Sequence, residues 1–122
     1  MAKYLITQYG GPDGELAAHI ASSDVAVSAS QFETQGLAIL ESMACGLPVA
    51  CAMAEGYMDF VIDGENGHFF ESRPESCASA MLKCLEGRDK LAAKALESAQ
   101  GYSYEMAVAK TVTLYEKVSK GV

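Results

Sequence analysis

The chain has 122 residues, half of them hydrophobic, and a formal net charge of −7. That size and composition fit a single domain spanning residues 1–122 with a real core, far from the disordered range. The acidic balance argues against a nucleic-acid or anionic-membrane surface, since both need a basic patch.

Lys3 to Gln8, with Tyr4, Leu5 and Ile6, reads as a short strand, and Tyr9 to Gly14 as a turn. Glu15 to Ser22 has helical spacing, and Asp24 to Ser28 is a short apolar strand. A helix is predicted from Gly36 to Cys45. It ends at Gly46, a residue suited to the left-handed cap, and Pro48 blocks its continuation. Pro48 to Ala52 is the next buried strand. Tyr57 to Ile62 can form one or two helical turns before Asp63-Gly64-Glu65-Asn66-Gly67, and Phe69 and Phe70 belong to a last strand.

Pro74 opens a helix at its first turn, where a missing N–H costs nothing. Arg88 to Gln100 is a second helix, separated from the first at Gly87. A third starts at Ser103 or Tyr104, with Met106, Val108, Val112, Leu114 and Tyr115 on a broad apolar face. Alternating strands and helices followed by helices predict an α/β fold. It is Rossmann-like, a parallel sheet of about four strands with flanking helices, covered by a helical C-terminal third.

No apolar run approaches the roughly 20 residues of a membrane-spanning helix, so no stable membrane insertion is expected. The apolar stretch behind Met1 ends by Thr7, which does not make a signal peptide. Cys45, Cys51, Cys77 and Cys84 lack C-x-x-C spacing and sit in apolar contexts. They read as reduced, buried thiols of a cytoplasmic protein. With His19 and His68 the only histidines, a zinc site is not expected. Met53, Met58 and Met81 read as core.

The densest signal is Ser28 to Val49, SASQFETQGLAILESMACGLPV. Glu33 and Glu41 flank a helix start with the spacing E-x7-E. Leu37, Ala38, Ile39, Leu40, Met43, Ala44 and Cys45 make that helix apolar nearly all round, as in a buried helix. Glu41 then either faces a cleft or holds a specific donor, or it lies on a narrow exposed stripe beside Ser42. The loop before the helix also has two readings. Its N–H groups can meet phosphate at the positive end of the helix dipole, or Thr34 can serve as an ordinary N-cap.

This run resembles the nucleotide-sugar site of retaining glycosyltransferases of the GT-B fold, the group 1, or family 4, enzymes with the E-x7-E motif. Ser30, Glu33, Gly36, Leu37, Glu41, Met43, Ala44, Gly46, Pro48 and Val49 fall in register. Ser23–Val27 is similar to the strand entering that motif, and Asp63–Phe70 to the turn and last strand of the same domain. By resemblance Glu41 binds the ribose hydroxyls, and Glu33 contacts the donor sugar near the reacting carbon. Thr34, Gln35, Gly36 and Leu37 supply the backbone that meets sugar and diphosphate, with Ser30 a polar neighbour. The donor is a nucleotide sugar such as a UDP-sugar. No cofactor and no metal are implied.

The sequence departs from the family in places. Gln35 replaces the usual phenylalanine, a version similar to that of some glycolipid-forming members. Glu55-Gly56-Tyr57-Met58-Asp59 replaces G-G-x-x-E, which puts a donor-binding role for Gly56 and Asp59 in doubt. Asp63, Glu65 and Asn66 read as plain turn chemistry. His68 reads as a strand-end residue.

The resemblance covers only a truncated donor-binding domain. The acceptor domain is expected to be missing, together with the first donor-domain strands, which carry an arginine and a lysine for the diphosphate. Lys3 is the only lysine or arginine before Arg73. The reading is a donor-domain portion of a glycosyltransferase, inactive alone. The alternative is a non-catalytic nucleotide-sugar-binding or interaction module needing a companion chain. In the family's sheet the Val25–Ser28 strand is central, and here its outer edge would be bare. Either the N-terminal strand moves in to pair with it or two chains join, and a homodimer through that edge or an uncovered apolar face is expected.

Overall fold

The computed structural model describes residues 13–121. The strand predicted at Lys3–Gln8 lies outside them. The element order is α1 (Asp13–Ala21), β1 (Ala26–Ser28), α2 (Leu37–Ala44), β2 (Val49–Ala52), α3 (Glu55–Met58) and β3 (Gly67–Phe70). Helices α4 (Pro74–Glu86), α5 (Arg88–Gln100) and α6 (Tyr104–Ser119) follow. The described strands form one parallel sheet in the order β1-β2-β3. Register runs Ala26 to Val49 and Ser28 to Cys51 on one side of β2, and Val49 to Gly67 and Ala52 to Phe70 on the other.

The short apolar strand β2 is buried along its whole length. Alternation sends its side chains into two cores. Val49 and Cys51 join Ile39, Met43, Tyr57, Phe60 and Val61. Ala50 and Ala52 join Phe70, Ala80, Cys84 and Leu91. Among the described residues β1 pairs only with β2, and Val27 is 41% exposed.

Helix α2 ends as its sequence dictates. Gly46 is left-handed at φ 77°, its N–H donates to the Met43 carbonyl, and the Leu47 N–H reaches back to Ser42. This is a Schellman closure, with Leu47 buried as its apolar partner. The start differs from the Thr34 cap considered above. Gly36 is the N-cap, and no side chain caps the helix.

Two expectations about burial are corrected. Helix α2 is buried on one face only, through Ile39, Ser42 and Met43. Ser42 tolerates burial because its hydroxyl donates to the Ala38 carbonyl at 2.9 Å. Leu37, Ala38, Glu41 and Ala44 are exposed, since α5, β1 and β2 pack against the other side. Helix α6 does not cover the sheet. α4 already packs on β2 and β3, and α5 packs on α2, leaving α6 without a buried residue. Its N-terminus is set by Ser103, whose hydroxyl accepts from the Met106 N–H at 3.2 Å.

Asn66 is also more than a turn residue. It is fully buried: its amide oxygen accepts from Ile62 N–H, and its nitrogen donates to Phe60 carbonyl and Ser98 hydroxyl. It ties the segment after α3 to α5. His68 lies within β3, and Asp63 accepts from the Phe69 N–H at 2.8 Å. Met53 and Met58 are exposed rather than core. All four cysteines are free. Cys51 and Cys84 are buried, whereas Cys45 and Cys77 are only half-buried.

Candidate functional site

In a parallel sheet the segments leaving the carboxyl ends of neighbouring strands meet at one rim. Here those are the loop after β1, residues 29–36, and α3 just beyond β2. The loop is held at several points. Gln31 donates to the Ser72 hydroxyl at 2.6 Å, beyond the end of β3. The Gly56 N–H donates to the Glu33 carbonyl at 2.9 Å. A side chain at position 56 would meet that carbonyl at 2.6 Å, so only glycine lets α3 approach this closely.

At the end of the loop Gly36 takes φ 68° and ψ 40°, the left-handed turn that starts α2. It lies under the ring of Tyr57, which is 1% exposed. The Tyr57 hydroxyl and the Ser28 hydroxyl are 2.6 Å apart, and the Ser30 N–H donates to Ser28 at 3.3 Å. Burial pushes the pKa of the Tyr57 phenol up. The Ser28 hydrogen bond opposes this, while the charge of the Glu33 carboxylate pushes the same way as burial. The phenol is therefore protonated at neutral pH.

A shallow cleft of about 490 Å³ opens beside the loop, lined by Glu33, Thr34, Glu55, Met58 and Asp59. Of the residues singled out in the sequence, Glu33 and Thr34 line it. Ser30, Gln35, Gly36, Leu37 and Glu41 do not. The Ser30 hydroxyl turns back to the Phe32 carbonyl at 3.3 Å, and Gly36 is buried beneath Tyr57. Leu37 and Glu41 lie one turn apart on the open face of α2. The Glu41 carboxylate has no hydrogen-bond or ion-pair partner among the described residues. The N–H groups of Leu37 and Ala38 have no acceptor there either. The exposed stripe considered for Glu41 is thus what the fold gives, though without Ser42, which turns inward.

Sequence reasoning placed Ser28 and Gln31 in the loop and set Glu55–Asp59 against a family motif, but gave Ser28, Gln31, Tyr57, Glu55 and Met58 no role here. A signal was present: Glu55–Asp59 follows the carboxyl end of β2 directly, at the same rim as the E-x7-E loop. Among the described residues no group of three or more His, Cys, Asp or Glu is placed to hold a metal ion. Among them, too, no helix is long and apolar enough to cross a membrane.

Comparison with known proteins gives this arrangement a family. The model for "Glycosyl transferases group 1" matches residues 3–101. A D-inositol 3-phosphate glycosyltransferase of Geodermatophilus obscurus is 40% identical over 101 residues, covering 82% of this chain and 22% of the relative. Sucrose-phosphate synthase from Thermosynechococcus elongatus superposes with a TM-score of 0.79 at 26% identity, covering 88% of this chain and 28% of that one. Anabaena HepE, solved in complex with UDP, superposes with a TM-score of 0.64 at 30% identity, covering 84% and 29%. The chain thus spans between a fifth and a third of the length of these three proteins. Its α/β fold, with a parallel sheet and flanking helices, is that of part of a GT-B enzyme, and the chain belongs to the group 1 glycosyl transferases.

Proposed function

We propose that this chain is the donor-binding portion of a retaining glycosyltransferase and holds a nucleoside-diphosphate sugar at the start of α2. The observation that carries the reading is the open end of α2: N–H groups of Leu37 and Ala38 without acceptors, and an unpaired Glu41 one turn on. Free N–H groups at a helix N-terminus suit phosphate. A carboxylate accepting two hydrogen bonds suits the vicinal diol of ribose. Glu33, in the cleft next to that helix start, would stand by the sugar and stabilise positive charge developing at its reacting carbon. Thr34, Gln35 and Gly36 would contribute backbone to the sugar and diphosphate, and Ser30 would keep the loop in shape.

The likeness to HepE, whose structure contains UDP, supports a uridine nucleotide as the probe. The test is calorimetric titration of the pure chain with UDP and UDP-glucose, repeated on Glu41→Ala. Binding by the parent and its loss in the mutant are expected. Equal binding by both would remove Glu41 from the site. Sugar transfer by this chain alone is expected to be absent or nearly so, and turnover of UDP-glucose by pure protein at a clear rate would overturn that. Four free thiols fit a reducing compartment, which we read as the cytoplasm.

Helix α6 supports a homodimer. Tyr104, Val108, Val112, Tyr115 and Val118 recur at helical spacing on an exposed face. Light scattering should give a dimer that Val112→Lys dissociates. A parent that stays monomeric at high micromolar concentration would refute this.

A further inference from the structure

We propose that the Tyr102 hydroxyl is a positioning group for Asp59, fixing where that carboxylate meets the sugar of the bound donor. The inference rests on the nucleotide-sugar reading of the site. Its basis is the way α3 is held. That helix has four residues, and a single turn does not keep its own shape in water. Yet Glu55 and Met58 from α3, with Asp59 directly after it, make up most of the cleft lining. At the start of α3 the Gly56 N–H donates to the Glu33 carbonyl at 2.9 Å. At its end the Tyr102 hydroxyl donates to the Asp59 carbonyl at 2.8 Å. Among the described residues no backbone N–H reaches that carbonyl, so Tyr102 is what closes the end of the helix.

Tyr102 is itself firmly based. It arrives from 43 positions away, in the turn between α5 and α6. Its N–H donates to the Ala99 carbonyl at 3.0 Å, and Ala99 belongs to the same core as Tyr57 and Phe60. Its ring meets Phe60 edge-on at 5.8 Å between centroids. Phe60 follows Asp59 in the chain, so the ring contact and the hydrogen bond act on adjacent residues. Together they fix the backbone from which the Asp59 side chain projects. The Asp59 carboxylate has no hydrogen-bond or ion-pair partner among the described residues, which leaves it to accept from sugar hydroxyls. A carboxylate held in place beforehand loses less freedom when it does so. Tyr102 lines no part of the cleft and acts on the sugar only through Asp59.

Two variants and their combination test this. Tyr102→Phe keeps the ring against Phe60 and removes only the hydroxyl. Titrated with UDP and with UDP-glucose, it should keep the parent's UDP affinity and lose roughly threefold for UDP-glucose, the worth of one half-exposed hydrogen bond. Asp59→Ala should lose at least as much for UDP-glucose, again sparing UDP. In the Asp59→Ala background Tyr102→Phe should cost nothing further, since the group it positions is gone. An equal loss for both ligands in Tyr102→Phe would mean a purely structural role and overturns the inference. So does no loss for either, full UDP-glucose affinity in Asp59→Ala, or a threefold loss that persists in the double variant. A parent that binds neither ligand, or UDP alone, overturns the donor-site reading, and the inference falls with it. Intact parent binding with any of the other negative results sinks the inference alone.

Discussion

Replacing Gly36 by alanine puts the junction of loop and helix under direct test. Two separate costs arise. At φ 68° an L-residue pays roughly 1–2 kcal/mol for the left-handed conformation. The added methyl would also stand 2.6 Å from Cδ1 and 2.7 Å from Cε1 of Tyr57, and 3.2 Å from Cζ of Phe60. Both rings belong to the buried core, so neither can swing aside into water. Overpacking of this kind adds about 1–3 kcal/mol, for a total of roughly 2–5 kcal/mol. Gly46 separates the two costs. Its φ is 77°, and an added methyl there would meet nothing within 4 Å, so Gly46→Ala carries the conformational cost alone. Urea unfolding followed by far-ultraviolet circular dichroism, compared at a common slope, gives both losses. Gly36→Ala should exceed Gly46→Ala by about 1–3 kcal/mol. Equal losses would refute the packing of Tyr57 over the start of α2.

Asn66→Ala should destabilise the fold by about 2–4 kcal/mol in the same assay, because it strands the Ile62 N–H and the buried Phe60 carbonyl and leaves a cavity. A loss under about 1 kcal/mol would mean that water replaces the amide freely. In the native protein Cys45 and Cys77 should react with a thiol reagent well before Cys51 and Cys84. Burial pushes the last two thiols up to about 12 and about 11, and only unfolding should release them. The same shifts set a pH dependence. The unfolded thiols ionise near 9.0 and the folded ones later, so the folded state holds more protons above that pH. Stability should therefore fall as pH rises past 9.0 and keep falling toward about 12, and a flat profile there would contradict the burial of both thiols.

What could be read from the sequence was what local chemistry decides. The end of α2 is an example: glycine at the left-handed position, a leucine to bury, then a proline that forbids another turn. Pro74 at the start of α4 and Ser103 before α6 are of the same kind. What could not be read was which faces find a neighbour. The apolar residues of α6 look like core in the sequence, yet α4 and α5 take the available surface first. Asn66 has the composition of a turn and the burial of a core residue, because Ser98 arrives from 32 positions away to satisfy it. Met58 is apolar and still lines the cleft, since a single helical turn at a strand end has little to bury against. For the site, the motif located the Glu33 loop and α2, while its support from Tyr57, Gly56 and Ser72 depends on β2 lying beside β1 and β3 beside β2.

The charges around the cleft bear on how such a site would divide its work. Every ionisable group lining it is a carboxylate: Glu33, Glu55 and Asp59. No lysine or arginine lines it, and Arg73 and Arg88 pair with Glu71 and Asp24. A diphosphate placed in the cleft would be repelled, so under the proposed function the phosphates belong at the N–H groups of α2. The cleft is then left to the sugar. There a neutral ground state gains little from three carboxylates, whereas a sugar ring acquiring positive charge gains a good deal. Stabilisation that appears only as charge develops accelerates the chemical step rather than tightening substrate binding. The acidity that argues against a strong phosphate site in this chain is therefore in keeping with a retaining transfer once the diphosphate's counter-charge is supplied from outside the described residues.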